Sequence, residues 1–138
     1  MDKLTMGKAE TKKPNYPMLD LVLGAFVFGR ELDTEVAVFP IQSVYDGFMK
    51  LSIEFPDLYG DLYFSTYGGP SYSKRLEHIF FSLGTVKILE VANPGYQSFQ
   101  FEKSVQKRLS CDLEKRLSGD IATIQKAGKI FYDTVFTG

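Results

Sequence analysis

The sequence predicts an α+β domain, rich in helix and carrying one β-hairpin. Three observations lead there. Apolar residues recur at helical spacing in five separate stretches, and two short runs of β-favouring residues flank Asn93-Pro94-Gly95. A chain of 138 residues, 44% apolar and 24% charged, also has the size and composition of one globular core, not two.

The first thirteen residues, MDKLTMGKAETKK, are polar and read as a mobile basic tail, so the domain is expected over residues 14–138. Tyr16-Pro17 opens the first helix, because proline suits a first turn. Leu19, Val22, Leu23, Phe26 and Val27 follow at helical spacing, and Gly29 is placed as a C-cap. Val-Leu-Gly-Ala-Phe-Val-Phe could also be a buried strand; the spacing favours helix. Val36 to Phe39 reads as a short strand. Pro40 starts a second helix with Ile41, Val44, Tyr45, Phe48, Met49, Leu51 and Ile53 on its inner side, closed before Pro56.

Asp57 to Asp61 is expected to turn, and Leu62 to Tyr67, rich in aromatics, to form a strand. Gly68-Gly69-Pro70 marks a sharp turn. Ser71 or Ser73 then caps a helix running from Lys74 to Leu83, with Leu76, Ile79, Phe80 and Leu83 on one stripe and Gly84 at its end. Val86 to Ala92 and Tyr96 to Phe101 are the two strands of the hairpin, with Pro94 and Gly95 ordered as a type II turn wants. From Glu102 to Phe136 the pattern is helical, broken at Ser118-Gly119-Asp120. Val105, Leu109, Leu113, Leu117 and Ile121 recur every fourth residue, a spacing that drifts about 40° per step and so makes no coiled-coil seam. Residues 102–138 therefore read as a C-terminal helical extension, packed on the domain or on a second copy.

This element order, with Phe64 to Leu76 leading through a Ser-capped helix to Leu83-Gly84 and the hairpin over Val86 to Phe101, resembles a winged-helix domain. The likeness covers residues 40 to 101. Within it, the Tyr-Gly-Gly-Pro-Ser-Tyr-Ser turn from Tyr67 to Ser73 is similar to turns in small prokaryotic antitoxin-like domains and in middle subunits of three-component defence systems. The resemblance implies that Ser73 to Leu83 is the recognition helix, entering the DNA major groove, and Asn93 to Gly95 the wing tip. With Leu76 inward, Lys74, His78 and Phe81 point about 160°, 200° and 140° away from it. The binding face is thus Lys74, His78, Phe81 and Ser82, with Arg75 and Glu77 at its edges and Lys87 on the following strand. That face departs from a base reader. Phe81 and Glu77 stand where arginine or asparagine would meet base edges, and the wing tip carries no basic residue.

Net charge is −1, but it is distributed unevenly: residues 1–13 sum to +2, residues 14–66 to −6 and residues 67–138 to +3. A DNA reader commonly neutralises about 6–10 phosphates, which this chain could gather only as a dimer with its tails. Opposite halves suit docking against a complementary partner or a second copy.

Catalytic and metal chemistry find little footing. One cysteine and one histidine cannot make a zinc site of several such ligands. Glu31, Asp33 and Glu35, or Glu54, Asp57 and Asp61, could hold a hard cation but lack the spacing of a calcium loop. Cys111 lies in a charged helix, away in sequence from His78, and no nucleophile elbow, phosphate loop or dinucleotide fingerprint occurs. No cofactor is expected. The most apolar run, Leu21 to Phe28, is far short of the roughly 20 residues of a membrane span, and the polar start is unlike a secretory signal. A cytoplasmic, non-enzymatic module that binds a protein partner is expected, and the resemblance implies an accessory or adaptor subunit of a prokaryotic assembly such as a defence system. The alternative is a dimeric DNA-binding regulator, joined through the C-terminal helices, with Lys74, Arg75 and Lys87 on phosphate.

Overall fold

The computed structural model describes residues 16–65, 69–91 and 97–137. The basic tail and the Asn93-Pro94-Gly95 turn lie outside them. Helix α1 spans Met18–Phe28, strand β1 Val36–Pro40 and helix α2 Ile41–Glu54. A one-turn α3, Pro56–Tyr59, runs into a 3₁₀ turn at Gly60–Leu62; α4 is Lys74–Thr85, β2 Glu90–Val91 and β3 Ser98–Glu102. Helix α5, Lys103–Arg116, and α6, Ile121–Thr137, are separated by a 3₁₀ turn at Ser118–Asp120, at the predicted break.

The three strands form one antiparallel sheet ordered β1-β3-β2, with Val36 opposite Glu102 and Glu90 opposite Gln100. This is an α+β, helix-rich domain with a hairpin. Phe39, Phe99 and Phe101 alternate onto the buried face, while Gln100 and Glu102 face outward.

Helix α1 is apolar on nearly every side, and its residues from Leu21 to Val27 are all buried. A helix of that kind belongs in a core. It packs against α5 and α6, which together with α2 close over the Phe26, Phe48 and Phe131 rings at centroid separations of 4.5 to 5.9 Å. The C-terminal helices are therefore part of this core and not an appendage: Ile124, Ala127 and Phe131 are fully buried within the chain. The contact of α1 with α6 runs through glycine. A Cβ on Gly128 would lie 2.7 Å from Gly29 Cα and 3.0 Å from Ala25 O, both backbone atoms.

Gly29 is the C-cap of α1, as expected, but with a right-handed φ of −72°; its lack of a side chain serves the close approach to Gly128. The end of α1 is finished by a distant side chain. Buried Gln106 donates Nε2 to Val27 O at 3.1 Å and Arg30 O at 2.7 Å, and accepts Leu32 N–H at 3.2 Å. At the opposite end of α1, burial pushes the Asp20 carboxyl up against the pull of Arg116, 3.6 Å away.

Several local expectations are corrected. No strand forms at residues 62–65. Leu58, Tyr59 and Leu62 share one helical face under α2, and that burial draws the chain into α3 and the 3₁₀ turn; Ser65 keeps a single bridge with Tyr72. The turn expected at Asp57 to Asp61 is that helical segment. Residues 86–89 are likewise not strand, and β3 begins at Ser98, with Tyr96 outside the described residues. Ile53 points outward, 70% exposed, because it falls off the stripe set by Val44, Phe48 and Leu51.

Candidate functional site

Helix α4 begins at Ser73, whose Oγ accepts Leu76 N–H at 3.1 Å and donates to Leu62 O. Ser73 is fully buried, so this one hydroxyl both caps α4 and fixes it to the turn before it. Ser71, the other candidate, instead donates to Asp46 Oδ1 at 2.6 Å, and Gln42 Nε2 reaches Ser71 Oγ at 3.2 Å. These contacts hold the loop on α2. Leu76, Phe80 and Leu83 turn inward, and Phe80 meets Phe99 at 4.7 Å between centroids.

The opposite side of α4 is the predicted face. Lys74, Arg75, His78, Phe81 and Ser82 are all exposed, Phe81 by 78%. Two of them have local duties: Ser82 Oγ donates to His78 O at 3.1 Å, and Arg75 Nη1 donates to Asp61 O at 3.1 Å. Glu77 accepts the Tyr72 hydroxyl at 2.7 Å, and that bond holds the Tyr72 pKa above the ordinary value.

Lys87 is exposed but is not on a strand. Lys87 N–H bonds Gly84 O at 3.1 Å and Ile88 N–H bonds Leu83 O at 2.9 Å, the pairing of a Schellman ending. Lys87 fills the left-handed position of that motif with φ 63°, where glycine is usual, at a cost of about 1 kcal/mol. Helix α4 therefore ends here and not at Gly84.

Beside Phe81 the ending leaves a groove of about 440 Å³ between α4 and β2, lined by Phe80, Phe81, Gly84, Lys87, Leu89 and Val91 among others. Val91, 45% exposed, lines it, and Val86, 61% exposed, lies in the helix ending. The sequence reading took both valines as strand residues and missed them as surface. The presence of Lys-Ile-Leu just after a helix stripe ending at Leu83 is the signal for a helix ending there, since Leu83 and Leu89 are both buried across the turn. The face is thus an apolar knob and groove with cations around it, and what it can do chemically is exclude water against a complementary surface.

Among the described residues no group of three His, Cys, Asp or Glu side chains is placed to hold a metal. Glu54 and Asp57 do share a hollow with Asp120, but Asp61 lies elsewhere, near Tyr63 and Arg75. Cys111 is exposed on α5, on a different element from His78. No described helix is long and apolar enough to cross a membrane. No protein-family model, no curated protein and no solved structure matches the chain.

Proposed function

We propose that the protein is a non-enzymatic, winged-helix-like module that binds another protein through the outer face of α4, as an accessory or adaptor subunit of a prokaryotic assembly. The observation that carries this reading is Phe81, a large apolar side chain 78% exposed on a groove that it shares with the exposed Val91. Contiguous apolar surface rimmed by polar groups is the mark of a protein contact. The element order α1-β1-α2-α3-α4-β2-β3 supports the winged-helix likeness, with α4 in the recognition position.

The DNA reading has one observation in its favour. Lys74 and Arg75 crowd the first turn of α4, where the helix dipole disfavours cations, so a phosphate there would relieve them. Phe81, Val86 and Val91 have no such use.

Affinity capture from native extract, with Phe81→Ser as control, tests the choice. A stoichiometric protein partner held by the wild type and weakened about tenfold or more by Phe81→Ser supports the proposal. Duplex DNA binding that falls steeply with salt and is lost in Lys74→Glu with Arg75→Glu replaces it with the regulator.

A further inference from the structure

Two apolar features lie on opposite edges of the sheet. At the β2 edge, Phe81 projects from α4 and shares a groove with Val91. At the β1 edge there is a hollow of about 230 Å³, whose apolar walls are Leu32, Val36, Ala37, Val38, Tyr132 and Phe136. One is a knob and the other a hole. An apolar cavity of about 150 Å³ accommodates benzene, so this one has room for a phenyl ring.

Charge separates the two edges in the same way. Glu31, Asp33 and Glu35 are exposed along the segment leading to β1. The cation beside them, Arg30, is already engaged: its guanidinium lies 5.4 Å and 5.7 Å from the Tyr132 and Phe136 ring centroids and 3.8 Å from Asp133. Around Phe81, Lys74 and Lys87 are exposed and make no ion pair among the described residues. Of the acids on that side, Glu77 is held by Tyr72, and Glu90, opposite Gln100, lines the groove with Lys87, which leaves Lys74 and Arg75 as the cations in excess there.

Backbone geometry decides how the β1 edge can be used. Ile41 N–H bonds Gln97 O and Lys103 N–H bonds Glu35 O, so the odd-numbered residues of β1 face β3 and Val36 and Val38 face outward. Thr34 Oγ1 already donates to Val36 O at 2.9 Å, and Pro40 has no N–H to offer. An edge so blunted is a poor template for an added strand. It is suited to receiving a side chain.

We propose that the chain associates head to tail with a second copy of itself, Phe81 of one copy seating in the β1-edge hollow of the next while Lys87 and Lys74 face Asp33 and Glu35. Knob and hole lie on different surfaces, so the contact is heterologous and propagates into a ring or an open chain. The proposal rests on the reading of the α4 face as a binding surface, and names its occupant.

Sedimentation velocity across a concentration series tests it, using Phe81→Ser, which removes the knob, and Val38→Lys, which fills the hole. Both positions are exposed, and thermal melts matching the wild type verify folding. The wild type gains mass with concentration and loses it as salt rises from about 0.1 M to about 1 M, where screening shortens from about 10 Å to about 3 Å. Each variant alone stays monomeric. Mixed, they form a one-to-one dimer and nothing larger, because one intact knob meets one intact hole. Lys87→Glu weakens association about tenfold or more, and Asp33→Lys in the same chain restores it. A wild type monomeric up to about 1 mM overturns the proposal, a dissociation constant of 1 mM being only about 4 kcal/mol. So does a mixture that stays monomeric while the wild type associates. If a monomeric wild type still captures a protein partner through Phe81, self-association fails and the adaptor reading survives; if it captures nothing, both fail.

Discussion

The α1–α6 contact and the α4–β2 face are built from the same kinds of residue and finished in opposite ways. At the first, glycines bring two backbones together, aromatic rings fill the space, and the cut end of α1 is satisfied by Gln106. At the second, the helix ends in a lysine held at positive φ, and Phe81, Val86 and Val91 remain outside. Apolar content alone does not separate core from contact surface. What separates them is whether the neighbouring backbone has somewhere to go: at α1–α6 it is enclosed on all sides, and at α4–β2 it ends beside water.

Gly128→Ala breaks the first region outright. Its Cβ would meet backbone atoms of Gly29 and Ala25 at 3.0 Å or less, and backbone on a packed helix cannot step aside cheaply. Loss of about 3 kcal/mol, roughly 10 °C in Tm, is expected by thermal unfolding. Gly84→Ala is the matched change in the second region, where the nearest atom to a Cβ is Leu89 O at 3.4 Å. It should leave stability unchanged or raise it by up to about 1 kcal/mol through helix propensity. Equal losses in the two variants would erase the distinction between the regions.

Gln106→Met comes next. It keeps the side-chain volume near its original value and strands Val27 O, Arg30 O and Leu32 N–H; urea unfolding should show about 2–4 kcal/mol lost. Gln42→Met, at the open end, removes bonds to Ser71 and Asp46 that water can replace, and should cost about 0.5–1 kcal/mol.

How far the sequence revealed these regions follows from which interactions are local. Pro17 and Pro40 as helix starts, Ser73 as a cap, the break at Ser118–Asp120 and the outward direction of Phe81 depend on a few adjacent residues, and all were legible. The hairpin was legible as a pair but drawn too long, because Val86 to Leu89 has strand composition and is held instead by backbone bonds to Leu83 and Gly84. Leu62 to Tyr67 misled for a related reason: aromatic content favours a strand, but the pattern of Leu58, Tyr59 and Leu62 fits one buried helical turn. Gln106 capping a helix 76 to 79 residues earlier, and Gly29 facing Gly128, are tertiary facts with no local trace. The β1-edge hollow was hidden likewise, since Phe136 joins Val36 and Val38 there only through folding. Of the predicted face, five residues share one side of α4, and Lys87 adjoins it through the helix ending and not through a strand.

The last contrast lies in titration. Tyr59 donates its hydroxyl to Leu21 O and Tyr132 to Phe26 O inside the core; burial raises both pKa values, and it pushes Tyr45 up to about 12. Unfolded tyrosine ionises near 10. The folded state therefore holds protons that the unfolded state releases, so these groups' stability contribution is whole below about pH 10 and falls as pH climbs toward 12 and beyond. The tyrosinate absorbance that Tyr132 contributes, read as the difference between the wild type and Tyr132→Phe, should appear only together with the loss of helical circular dichroism. Tyr132→Phe removes one proton release from alkaline unfolding, flattening the alkaline loss, while costing about 1 kcal/mol at neutral pH through the Phe26 carbonyl left unpaired. If that difference absorbance appeared while helical circular dichroism held, the Tyr132 hydroxyl would be open to base in the folded protein, and the enclosure of the α1–α6 contact would fail at its most sensitive point.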